Sequence, residues 1–103
     1  MFSFVKLMKG IKMDLGDFKI STQGMEVERV ILIPGLENDV PVTQLALQDQ
    51  QLVLRALADE IPVTLAELQQ NEFADTSQLM FERQGELITI YGYRVVDGNL
   101  RLG

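Results

Sequence analysis

The stretch TQLALQDQQLVLRAL, Thr43 to Leu57, decides how the chain is read. At 100° per residue its apolar residues (Leu45, Ala46, Leu47, Leu52, Val53, Leu54, Ala56 and Leu57) spread around the whole helical wheel, so no apolar face forms. Folded as a hairpin with Asp49-Gln50 at its tip, the stretch sorts itself. Leu47 then lies opposite Leu52 and Leu45 opposite Leu54 on one face, while Gln44 meets Arg55 on the other. The helical alternative stays open, because Ala, Leu, Gln and Arg are good helix formers and the turn lacks Gly or Asn. A recurrence favours strands. The spacing Leu47-x-Asp49-x-x-Leu52-x-Leu54 returns at the C-terminus as Val95-x-Asp97-x-x-Leu100-x-Leu102, around an Asp97-Gly98 turn. Eight residues are too few to establish a repeat.

Working outward, the 103 residues have room for one domain, 1–103, and one core. With 47% apolar and 23% charged residues the chain can offset its ordering entropy. A net charge of −6 argues against a nucleic-acid partner, since phosphate binding needs clustered Lys and Arg. The acid is concentrated centrally: Leu36 to Gln84 holds nine carboxylates against Arg55 and Arg83. Cysteine is absent, which excludes a disulfide framework, a thiol nucleophile and a thiolate metal site. Histidine is absent too, and with it the usual general base and the commonest zinc ligand. No apolar run reaches the roughly eighteen residues of a membrane span. Lys6, Lys9 and Lys12 interrupt what would have to be the uncharged core of a signal peptide. A soluble, cytoplasmic protein is expected.

Met1 to Met13 reads as a helical arm with a basic edge, packed on the body, with a weaker membrane-surface role as the alternative. Asp17 to Ile33 reads as two strands turning at Gln23-Gly24, with Ile20 opposite Val27 and Lys19 opposite Glu28. Val30 to Ile33 is apolar throughout, as in a strand covered on both faces, and Pro34-Gly35 ends it. Thr64-Leu-Ala-Glu67 fits a capping box that starts a helix, and Leu79 to Phe81 suggests a further helical turn before Gly85. Glu86 to Gly103 closes the chain with strands. Gly92 falls where the apolar parity shifts, as at a bulge, and Asn99 to Leu102 is expected at an edge. The expected fold is therefore α+β and strand-dominated, with hairpins at about 17–33, 42–57 and 87–102 and one or two helices at about 64–83.

Catalytic constellations are missing. Ser3, Ser21 and Ser77 have no histidine to activate them and no GxSxG surround, and the eight glycines are dispersed at turns instead of forming a phosphate loop. Asp14-Leu-Gly-Asp17 lacks the alternating ligands and closing Glu of a calcium loop. No catalytic residue, metal or cofactor is assigned. Leu52 to Leu68, a short helix near Ser77 and a hairpin at Ile88 to Leu102 together resemble the helix-turn-helix-wing order of winged-helix DNA binders. The resemblance implies a recognition helix at Asp75 to Arg83 with Gln78 as the base reader; one Arg83 against Asp75 and Glu82 leaves the phosphate term unmet.

The apolar surplus points elsewhere. One sheet face cannot hide both sides of VILI, LVL and ITIY, so a second layer or a second chain must. The expectation is a non-enzymatic interaction or assembly module, a homo-oligomer or a subunit of a larger complex. Its partner-facing residues are Tyr91, Tyr93, Leu100 and Leu102 at the C-terminal strands and Phe4 and Leu7 on the arm. An apolar-ligand or lipid-binding domain is the alternative from another class.

Overall fold

The computed structural model describes residues 12–103. Phe4, Leu7 and all of the expected arm up to Ile11 lie outside them; Lys12 and Met13 are not helical. The body is α+β with strands dominating. Helix α1 spans Leu15–Ser21, followed by β1 (Ile31–Pro34), β2 (Asp39–Pro41), β3 (Gln44–Gln48) and β4 (Gln51–Arg55). Helix α2 spans Leu65–Gln69, followed by β5 (Gln78–Arg83), β6 (Glu86–Thr89), β7 (Tyr93–Val96) and β8 (Asn99–Leu102). The strands form two mixed four-stranded sheets, in the orders β2-β1-β8-β7 and β3-β4-β5-β6.

The central hairpin has the expected register: Gln44 faces Arg55, Leu45 faces Leu54 and Leu47 faces Leu52. Its turn residues Asp49 and Gln50 both have positive φ, 51° and 66°. That is the geometry that matches strand twist in a two-residue hairpin. The C-terminal hairpin also holds, with Tyr93 opposite Leu102 and Val95 opposite Leu100. Arg94 does face Arg101, and Asp39 supplies the missing acid: Arg101 Nε donates to its Oδ1 at 2.9 Å.

Several expectations are corrected. Asp17 to Ser21 belongs to a helix, because Asp14 caps it by accepting the Asp17 amide proton at 2.8 Å and Leu15 and Phe18 bury one face. Ile20, the supposed strand residue, is 69% exposed and does not pair with Val27. Gln78 to Arg83 is a strand, not a second helix; Leu79, Met80 and Phe81 are all buried, which a two-sided strand permits. The helix-turn-helix-wing order is therefore not present. Residues 86–89 pair with β5, and the chain changes sheets between β6 and β7, so Gly92 marks that crossing and not a bulge. Asn99–Leu102 is a central strand, because β1 pairs with it in parallel. In β1, finally, Ile31 and Ile33 are buried while Val30 and Leu32 are half-buried, so burial alternates where two-sided cover was expected.

The recurrence extends far beyond eight residues. Each half of the chain runs helix, hairpin, hairpin, and the main-chain bonds match one for one. Ile31 N–H donates to Val63, Val63 N–H to Val42 and Val42 N–H to Ile31; Leu79 donates to Met13, Met13 to Ile90 and Ile90 to Leu79 in the same cyclic pattern. Leu65 donates to Arg29 as Leu15 donates to Ser77, and Ala66 to Val27 as Gly16 to Asp75. The halves exchange hairpins. β3-β4 of the first joins β5-β6 of the second through parallel β4 and β5, with Leu52 beside Leu79. β7-β8 of the second joins β1-β2 of the first through parallel β8 and β1, with Leu100 beside Ile31. Each helix begins at a corner where its own half meets the other. Between the sheets lies one core, including Leu15, Phe18, Leu52, Leu54, Leu65, Leu68, Phe81 and Leu102.

Left-handed backbone at Gln50 costs a non-glycine residue roughly 1–2 kcal/mol, whereas the equivalent Gly98 meets φ of 81° freely. Gln50→Gly is expected to raise stability by about 0.5–1 kcal/mol, seen as a thermal midpoint higher by a few degrees. A lowered midpoint would mean that the Gln50 side chain contributes something that the turn geometry does not show.

Candidate interaction surface

The expected partner-facing residues fall in different places. Leu100 and Leu102 are 0% exposed and belong to the core, so they present no surface. Tyr93 is half-buried: its ring meets Phe18 edge-on at 5.6 Å, and its hydroxyl lies 3.2 Å from the Ser21 carbonyl and 3.0 Å from Ser21 Oγ. Tyr91 is 49% exposed.

Among the described residues there is no group of three or more acidic side chains able to hold a metal ion. A cavity of 150 Å³ is lined by Arg55, Ala56, Leu57, Glu82 and Gln84. It is smaller than small-molecule sites usually are. Its one cation is already engaged: Arg55 Nε donates to Glu82, and Nη2 donates to Gln48 Oε1 at 3.3 Å. The guanidinium thus bridges β5 and β3 across the sheet face that carries Val53. Val53 is 0% and Met80 7% exposed, yet neither is part of the internal core. One carboxyl is perturbed. Asp17 is pushed above its ordinary value, first by burial and then by the neighbouring Asp14 carboxylate. It sits in the first turn of a capped helix.

Among the described residues the two sheets leave four edge strands, β2, β7, β3 and β6. An edge offers unpaired N–H and C=O groups to any passing strand, and charge or proline is the usual protection. β2 carries Asp39 and Pro41, β6 carries Glu86 and β7 carries Arg94. β3, Gln44-Leu45-Ala46-Leu47-Gln48, carries neither. In a two-residue hairpin the residues flanking the turn form the bonded pair, so Gln44, Ala46 and Gln48 bond to β4. Leu45 and Leu47 then direct their amide and carbonyl groups outward. No other described main-chain group meets them. The Leu47 side chain is 55% exposed at the end of a row that continues inward through Leu52 and Leu79.

Sequence reading located the β3 hairpin but not its edge status, which depends on β4 finding β5 across the α2 crossover. The available signal was the absence of charge between Pro41 and Asp49. Leu100→Ala is expected to cost about 2–5 kcal/mol in urea unfolding, and Val95→Ala, at 48% exposure, less than about 0.5 kcal/mol. Comparable costs at the two sites would contradict the assigned faces. Comparison of the chain with family models, with curated proteins and with solved structures returned no match.

Proposed function

We propose that the chain is a non-enzymatic interaction or assembly module that works by adding a strand at β3, within the cytoplasm. The observation that carries this reading is the uncharged, proline-free edge of β3 beside three edges that each hold a charge. Strand addition needs little from side chains, because main-chain bonds supply affinity and alternate side chains supply specificity. It therefore suits a chain with neither His nor Cys. A partner strand would also cover the outer part of Leu47, which the monomer leaves in water.

Light scattering over a hundredfold concentration range tests this. The wild-type chain is expected to rise above 11.6 kDa towards two or more chains. Leu47→Lys, which places a charge on the edge without entering the core, is expected to remain a monomer with an unchanged thermal midpoint. The equivalent change on the other sheet, Val95→Lys, is expected to leave association intact. Association that survives Leu47→Lys, or a single-chain mass at every concentration, would overturn the reading.

A further inference from the structure

We infer that the strand received by β3 is the β3 of a second copy, paired antiparallel about a two-fold axis at Ala46; this rests on β3 being the binding edge. The strand reads the same in both directions, Gln44-Leu45-Ala46-Leu47-Gln48. Turned over against itself about Ala46, it sets Gln44 against the partner copy's Gln48, leucine against leucine and alanine against alanine. Every cross-strand pair is like with like, and none places a charge opposite anything. A two-fold contact requires such self-complementarity, since the same patch must serve both sides.

The hydrogen-bond geometry selects the same register. The outward-facing groups of β3 belong to Leu45 and Leu47, and in this pairing those two residues meet one another across the axis. Each Leu45–Leu47 pair exchanges both of its main-chain bonds, and Ala46 falls on the intervening non-bonded position, where strands come closest. Alanine at that position removes any side-chain obstacle. A shift by one residue would set outward-facing groups against inward-facing ones and lose the ladder.

Side chains on both faces are consistent with it. The outer-face row Met80-Val53-Ala46 of one copy would run on through Ala46, Val53 and Met80 of the other, making one apolar stripe across an eight-stranded sheet. Gln48 accepts from Arg55 through Oε1, which leaves its amide N–H groups for the partner copy's Gln44. On the inner face, the exposed Leu47 would meet the second copy's Leu45. The opposite sheet provides an internal control. Where β3 has Ala46, the equivalent strand β7 has Arg94, and Val53 corresponds to Arg101. Two copies of β7 would place two guanidinium groups on the axis. A five-residue edge is small beside the roughly 1,200 Å² of a stable interface, so the pair should separate on dilution.

The chain has no cysteine, so engineered thiols report pairing without background. Non-bonded antiparallel positions bring Cα atoms to about 4.5 Å, inside the range a disulfide spans. Ala46→Cys is expected to give a covalent dimer on mild oxidation at concentrations where the wild type is dimeric. Gln44→Cys alone and Gln48→Cys alone are expected to stay largely uncrosslinked, and an equal mixture of the two to form the mixed disulfide at least tenfold faster than either alone. A dimer that Leu47→Lys dissociates, but in which Ala46→Cys stays reduced and the Gln44→Cys and Gln48→Cys mixture does not cross-link, would overturn the two-fold and leave β3 as the binding edge. Should Ala46→Cys disturb the strand, the mixture decides alone. Cross-linking of Gln44→Cys with itself, in preference to the mixture, would overturn the register.

Discussion

Two short parallel contacts hold the molecule together, Leu52 beside Leu79 and Leu100 beside Ile31. Each joins a hairpin from one half of the chain to a hairpin from the other, so neither half can complete a sheet from its own strands. A lone two-stranded hairpin is marginal in water, and three or more strands with a covered face are needed for independent stability. The exchange turns four marginal hairpins into two four-stranded sheets, and all four residues of the parallel contacts become fully buried. Helices α1 and α2 occupy equivalent corners, each with an acid making a capping bond at its start. Asp14 accepts from the Asp17 amide in one, and Glu67 accepts from the Thr64 amide in the other. Gln69 of α2 then reaches Thr22 at the end of α1, its Nε2 donating to the Thr22 carbonyl at 3.2 Å and Oγ1 at 2.9 Å.

Where the halves match, the residues serve the core; where they differ, they face outward. Leu15 and Leu65, Phe18 and Leu68, Leu79 and Ile31 are equivalent and all fully buried. The outer faces diverge. One sheet carries Arg94 and Arg101, with Asp39 paired to the second; the other carries Ala46, Val53 and Met80 together with the Arg55–Glu82 pair. Charge on β7 and its lack on β3 distinguish two edges of the same shape. The −6 net charge keeps like chains apart at long range, while the uncharged β3 leaves contact at this edge free of repulsion.

Both tight hairpins at Asp49-Gln50 and Asp97-Gly98 were legible from the sequence down to register, because period-two alternation and turn position leave one pairing that keeps leucines together. The α2 start was legible from its capping box. The same signal lay in Asp14-x-x-Asp17, but Phe18 and Ile20 alternating with Lys19 and Ser21 imitated a strand over a window too short to separate the two periods. Leu79-Met80-Phe81 was misread for a related reason: a run buried on both faces has no period to read. The expectation that Leu100 and Leu102 face a partner followed from treating β8 as an edge. Its parallel neighbour β1 lies far back in the sequence, and single-chain patterning does not show long-range pairing. Hence Leu100 and Leu102 are core, and β3 is one of the edge strands.

Interlocking of the halves is tested most directly by native-state amide hydrogen exchange in low denaturant. If each half depends on the other's hairpins, the slowest amides of β4, β5, β1 and β8 will exchange together, at one free energy equal to that of global unfolding. Separate protection for residues 13–57 and 63–103, with one half opening while the other stays closed, would contradict the exchange of hairpins on which the account depends.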